Sequence, residues 1–180
     1  MTKDRFPKNS TLNWDLEPGS SIKRTELHER FKGEVQGGIS VSSLLPVVML
    51  FSVAKSHSVR GGQELWSKEQ HGYSDGWASS DHRLLLYMGQ GTVGDQSPEQ
   101  RGNRSVIRHV YEGRDIRLFT PSSGTVQYVG RFICDPLAPY ETQMATDRLG
   151  QMRKVLLFRL IPMGKVAYNL MPVIDHGAQR

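Results

Sequence analysis

Cysteine is almost missing from this chain of 180 residues: it has one, Cys134. A single thiol excludes an internal disulfide and a cysteine-rich zinc site, and it makes a reducing, cytoplasmic compartment the expected location. Cys134 lies in the apolar run YVGRFICD and reads as a small buried hydrophobe. Long apolar runs are missing as well. None approaches the ~20 residues of a membrane span, and MTKDRFPKNSTLNWDLEPGSS at the N-terminus has no apolar stretch behind its charges, so neither a membrane partner nor a secretory signal is expected. There is no internal repeat and no low-complexity segment.

The signatures of common catalysis are absent in turn. No Walker-type phosphate loop occurs, no GxGxxG follows a strand, and there is no HExxH and no GxSxG elbow. His28, His57, His71, His82, His109 and His176 show no metal-ligand spacing, and no His-Asn-His nuclease constellation is present. The expectation is no catalytic residue, no metal and no cofactor, so catalysis by this chain alone is not expected. What the chain has instead is 37% hydrophobic and 23% charged residues, which suit one globular domain with polar ends. A formal net charge of +5 is compatible with a polyanionic partner, although many basic proteins bind nothing anionic.

The most distinctive stretch is His71 to Gly91, HGYSDGWASSDHRLLLYMGQG. It sets Tyr73, Asp75, Trp77 and Tyr87 close together along the chain. Asp75-Gly76 reads as a turn before a leucine-rich buried strand over residues 83–88. Gly89 and Gly91 then mark a bend or a close approach. Two aromatic rings flanking a carboxylate can hold a flat, amino-bearing group such as a nucleobase swung out of a duplex. The same residues also fit a plain reading, in which Tyr and Trp fill core or rim and Asp before Gly makes a turn.

Residues 1–20 read as a flexible tail. A short helix follows with Thr25 as N-cap, Leu27 and Phe31 on its inner face and Gly33 at its C′ position. Gly37-Gly38 breaks the chain before a buried strand at Val47–Phe51. Residues 54–70 read as a loop or insertion with a helical turn near Glu64–Trp66. Ser97-Pro98, with Gln100 as capping-box partner, starts a helix that ends at Gly113; Val106, Ile107, Val110 and Tyr111 share one face, and Arg101, Arg104 and Arg108 stripe the other. Such a stripe is most often simply solvated. Strands are expected at Asp115–Phe119, Val126–Ile133 and Val155–Ile161, with a polar loop over 135–152 and a C-terminal tail from 163. Five or six strands and two helices without a repeated βαβ unit predict an α+β domain with a mostly antiparallel, curled sheet.

Taken in order, QGGISVSS, VVMLF, HGYSDGW, LLLYMGQGTVGDQ, RGNRSVIRHVYEGRDIRLF, VQYVGRFIC and KVLLFRL resemble the SRA-like (SET- and RING-associated, or YDG) domains, closest to those of McrA-type modification-dependent restriction endonucleases. The resemblance covers roughly residues 22–162, within an expected domain of 21–162. It implies a curled β-barrel of the PUA-like kind with helices outside, and a partner that is double-stranded DNA carrying 5-methylcytosine or 5-hydroxymethylcytosine. It implies that the modified base is flipped into a pocket in which Tyr73 and Tyr87 sandwich the ring and Asp75 accepts from its amino group, with Trp77 and Gly89 nearby. Gly37, Gly38, Arg60, Trp66, Arg101, Arg104 and Arg108 are the candidates for backbone or groove contact, and Lys32 is a further one. A nuclease domain or subunit separate from this chain is a further implied partner. The sequence departs from the family pattern at Met88, where threonine is usual, at Gln90, where McrA-type domains carry glutamate, at Ser74, and in a longer loop at 54–70. A PUA-like RNA-binding module and a small base-processing enzyme remain as alternative readings.

Overall fold

The computed structural model of the chain describes residues 13–52, 57–60, 63–66 and 75–174, with the backbone alone for 57–60 and 63–66. In chain order the strands are β1 (Ser21–Ile22), β2 (Ile39–Val41), β3 (Val47–Phe51), β4 (His57–Arg60), β5 (Gln63–Trp66), β6 (Gly76–Trp77), β7 (Leu85–Met88), β8 (Asp115–Ser122), β9 (Thr125–Cys134), β10 (Tyr140–Thr146) and β11 (Met152–Val166). Helix α1 (Arg24–Phe31) lies between β1 and β2, α2 (Arg101–Arg108) between β7 and β8, and a 3-10 turn spans Tyr168–Leu170.

Nine of these strands make one curled sheet in the order β2-β3-β8-β9-β11-β7-β6, with β1 added on β9 and β10 on β11. All its named strand pairs are antiparallel except β3 with β8. The fold is therefore the α+β, mostly antiparallel arrangement that the pattern predicts. The hydrogen-bonded path runs open from β2 to β6 rather than closing as a ring of strands.

Strand β3, VVMLF, is buried at every position because the two sides of the sheet claim alternate residues. Val48 and Leu50 join the core inside the curl with Leu85, Ile116, Phe132 and Phe158. Val47, Met49 and Phe51 join a second core with Leu27 and Phe31 of α1, Phe119 and Tyr128. Packing runs beyond both ends of the 21–162 span. Trp14 stacks on Phe31 at 4.9 Å, and Met171 is buried in the inner core. The 172–174 segment runs against β6, where Trp77 N–H donates to Pro172 O and Ile174 N–H to Trp77 O, both at 2.8 Å.

Several local expectations change. Residues 57–60 and 63–66 pair as an antiparallel hairpin, so a helical turn near Trp66 is not formed. Residues 140–146 form β10, paired along the edge of β11, although their alternation of half-exposed polar positions carries little apolar signal. Helix α1 begins one residue before Thr25, and Lys23 occupies its cap without a side-chain bond. Helix α2 is shorter than the span from Ser97 to Gly113: Ser97 caps a preceding turn through Glu99 N–H at 3.2 Å, and Val110 and Tyr111 lie exposed beyond its last residue. Gly76 is a strand residue, not a turn residue; the Pro172–Ile174 segment passes so close that a Cβ there would stand 2.5 Å from Pro172 O.

Candidate nucleic-acid interface

The pairing of β6 with β7 sets Gly76 across from Leu86 and Trp77 across from Leu85. Continued by one residue, this register sets Asp75 across from Tyr87, on the same side of the sheet. Asp75 Oδ1 accepts from Met88 N–H at 2.8 Å, which fixes the carboxylate beside the strand. Burial and the neighbouring Asp75 charge push the Tyr87 phenol well above its ordinary value, so it stays neutral and donates. The Tyr87 hydroxyl lies 2.7 Å from Gly38 O and 3.2 Å from Phe51 O. Its single proton serves one of these carbonyls at a time.

That contact crosses the gap in the curl. Gly38 leads into β2 and Phe51 ends β3, at one end of the strand path; Tyr87 belongs to β7, near the other. A side chain, not a strand pair, joins the two ends, and a cavity of about 280 Å³ opens there. Its walls come from Gly37–Ile39 and Phe51 on one side, from Asp75 and Tyr87–Thr92 on the other, and from Arg153 of β11. The volume is near the low end of the ~300–1,000 Å³ usual for small-molecule sites, a size for one ring system.

Both glycine-bearing walls are held from behind. Arg24 donates through Nη2 to Gly37 O at 2.6 Å and lies 3.8 Å over the Phe51 ring. Asn103, fully buried on α2, donates to Gln90 O at 3.1 Å and to Ser97 O at 2.8 Å, and accepts from Gln90 N–H at 2.6 Å. Gln96 donates to Gly89 O at 2.7 Å and accepts from Leu156 N–H at 2.9 Å. Gly89 has no room for a side chain, since a Cβ would stand 2.9 Å from Gln96 Oε1 and 3.1 Å from Asn103 Oδ1. Arg153, almost fully buried, donates to Gly91 O at 2.6 Å.

The structure thus brings Asp75, Tyr87, Gly89, Gly37 and Gly38 to one cavity. Gly37 and Gly38 form part of its wall, and their carbonyls accept from Arg24 and Tyr87. Trp77 is not on the cavity wall. It faces the same side as Asp75 one pleat further on, fully buried, with Nε1 donating to Tyr168 O at 3.0 Å and the ring against Phe132 and His82. Tyr73 and the side chains of Arg60 and Trp66 lie outside the described residues. Arg101, Arg104 and Arg108 are exposed on α2; Arg101 reaches Glu34 at 3.6 Å and Arg108 reaches Glu112 at 4.0 Å. Exposed pairs of this kind contribute at most about 1 kcal/mol and leave the guanidinium groups accessible. Lys32, at the C-cap of α1, takes a positive φ of 57°.

Sequence reasoning missed Arg24, Gln96, Asn103 and Arg153. Asn103 left a signal: it shares the buried face of α2 with Val106, and an amide on such a face needs partners. Gln96 and Arg153 left none, because each ties the 89–91 segment to β11, about sixty residues away: Gln96 accepts from Leu156 N–H and Arg153 donates to Gly91 O. Among the described residues no three of His, Cys, Asp and Glu converge as a metal site.

Comparison with known proteins places this architecture. The chain superimposes on the type IV phosphorothioation-dependent restriction endonuclease ScoMcrA with a TM-score of 0.62 at 20% identity, over 88% of this chain and 30% of that one. A structure of the sulfur-binding and SRA domains of ScoMcrA with phosphorothioated DNA gives 0.60 at 19% identity, over 88% of this chain and 43% of that one. The SUVH5 SRA domain with hemi-methylated CG DNA gives 0.51 at 21% identity, over 88% and 93%. The chain therefore spans less than half of either ScoMcrA chain, and at these identities the likeness is one of fold. No curated protein matches. Residues 18–174 match the family described as ScoMcrA-like, SRA domain, and the chain belongs to that family.

Proposed function

We propose that this domain binds duplex DNA carrying a modified cytosine, 5-methylcytosine or 5-hydroxymethylcytosine, and takes the base out of the stack into the cavity at the gap of the curl. The observation that carries this reading is the placement of Asp75 and Tyr87 together on the wall of a cavity sized for one ring. Solved SRA domains bound to methylated and hydroxymethylated CG DNA share the fold and support the reading.

The Asp75 carboxylate is the acceptor for the exocyclic amino group, and the Tyr87 ring is one stacking surface. Tyr73 is assigned the opposite face. Extrusion costs a few kcal/mol. Stacking returns ~1–3 kcal/mol, and a hydrogen bond to a charged acceptor about 1.5–3 kcal/mol, so the two together offset it. A methyl group in an apolar niche beside Ile39 or Met88 adds only about 0.8 kcal/mol, close to a fourfold preference. Phosphate contacts from exposed cations, the α2 arginines among them, supply affinity independent of sequence. The nuclease of a modification-dependent restriction system would then lie in another domain or subunit.

The test is direct binding of purified protein to duplexes that differ only in cytosine, 5-methylcytosine or 5-hydroxymethylcytosine, with an RNA hairpin alongside. Preference for a modified duplex, lost in Asp75→Ala while non-specific binding persists, is the expected result. Equal binding of all duplexes, or preference for RNA, would overturn the reading.

A further inference from the structure

The β10–β11 hairpin is an elaborate structure for a surface turn. Asp147 at its tip is buried, and its Oδ1 accepts from Leu149 N–H at 2.8 Å and Gln151 N–H at 2.9 Å. Its Oδ2 accepts from Gly94 N–H at 3.2 Å. Arg148 N–H donates to Thr92 O at 3.0 Å, Lys154 N–H to Asp95 Oδ1 at 2.7 Å, and Gln96 N–H to Lys154 O at 2.9 Å. The turn is therefore bolted to residues 91–96, of which Gly91 and Thr92 line the cavity.

What this rigid frame displays is apolar. Ala145, Arg153 and Val155 face inward and are buried, whereas Met144 and Met152 on the other face and Leu149 at the tip are 59%, 65% and 67% exposed. Single exposed apolar residues are ordinary, but three on one hairpin, locked next to a cavity mouth, form a surface. The tip's own carboxylate is occupied by backbone N–H groups, while Arg148 and Lys154 flank Leu149 and Met152 with exposed cations. An apolar point between cations fits a stack of bases framed by phosphates.

We propose that the 147–151 tip, led by Leu149, enters the duplex stack at the position the extruded base leaves, with Arg148 on the adjacent phosphate. This rests on the base-extrusion reading above. It gives the stack-filling role to an element that projects a side chain. The gain is kinetic and thermodynamic at once: a filled gap removes the vacancy into which the base would return.

The experiment compares the parent, Leu149→Ala, Leu149→Met and the control Leu137→Ala, which truncates an exposed leucine elsewhere. Each is titrated against a duplex with the modified cytosine paired to guanine, and against the same strand with an abasic site opposite the modified base. Leu149→Ala is expected to weaken binding to the paired duplex about tenfold and to the abasic duplex by no more than about twofold, because extrusion is easier without a partner. Leu149→Met and Leu137→Ala are expected to bind as the parent does. Unchanged affinity of Leu149→Ala for the paired duplex overturns the proposal and leaves the surface to a protein partner. An equal loss on both duplexes overturns it too, since that is a backbone contact. If the parent itself fails to prefer modified DNA, the extrusion reading falls first; if the parent prefers it and Leu149→Ala is unimpaired, this inference falls alone.

Discussion

Tyr87 carries two duties at one position: its hydroxyl joins the two ends of the sheet through Gly38 and Phe51, and its ring lines the cavity between them. Gly38 makes this possible, since a Cβ there would stand 2.7 Å from the Tyr87 hydroxyl oxygen, an atom at the end of a rigid, buried ring. Gly38→Ala is therefore expected to displace the ring and weaken binding to modified duplex by about tenfold or more, with non-specific binding nearly unchanged, as measured by parallel titrations. Asp75→Asn keeps the shape and the acceptor toward Met88 N–H but removes the charge. A charge-assisted bond is about twice as strong as a neutral one, so a loss of roughly 1 kcal/mol for modified duplex is expected, against a larger loss in Asp75→Ala. Equal affinities of the two variants would remove Asp75 from base recognition. Asp75 and Tyr87 were legible as chemistry in the sequence; that they stand opposite one another was not, because the loop between β6 and β7 hides the register.

At the scale of elements, the cavity depends on α2 and the 89–91 segment acting as one piece. Asn103→Ala would leave Gln90 N–H and Gln90 O without this partner in a part-buried site, whereas Ser97 O keeps Gln100 N–H at 3.2 Å. A stability loss of about 2–4 kcal/mol is expected in denaturant melts, and a loss near zero would show that the segment relaxes to water. The exposed side of the same helix bears the arginine stripe. Arg104 has no ion pair among the described residues, so Arg104→Ala tests phosphate contact cleanly: modified and unmodified duplexes should weaken alike, with the salt slope of log K shallower by about one charge. An unchanged slope would return the stripe to a solvated face. Strongly patterned elements were legible, such as β3 with its unbroken apolar run and α1 with Leu27 and Phe31 one turn apart. Strand β10 was not, because an exposed strand laid on β11 keeps polar residues that also suit a loop. The 57–60 and 63–66 hairpin was not, because its charged positions carry no clear period.

For the whole molecule, two buried histidines, His28 and His109, make stability depend on pH. His109 Nδ1 lies 2.7 Å from Arg114 O and its Nε2 accepts from Cys134 N–H at 3.0 Å, an arrangement for the neutral ring. Burial lowers the proton affinity of His109, and of His28, below the ordinary value of 6.5. The unfolded chain therefore takes up protons below about pH 6.5 that the folded chain refuses. The stabilisation is full above that pH and is lost as the pH falls through the lowered folded values. Melting temperature is expected to drop between pH 7.5 and about 5.5, with a shallower drop in His109→Gln, which cannot take the proton. A parallel drop in parent and variant would exclude His109.

By itself the sequence determined the fold class and the residue types of the candidate site. The first follows from apolar runs whose period is local, and the second from side chains whose chemistry is intrinsic. Only the tertiary structure decided which of them meet. The opening of the curl between its β2–β3 and β7–β6 ends, the Tyr87 contact that spans it, the placement of Trp77 in the core and the anchoring of the β10–β11 tip beside the cavity all join residues far apart in the chain. Such contacts arise from sheet curvature and register, which no local window of residues contains.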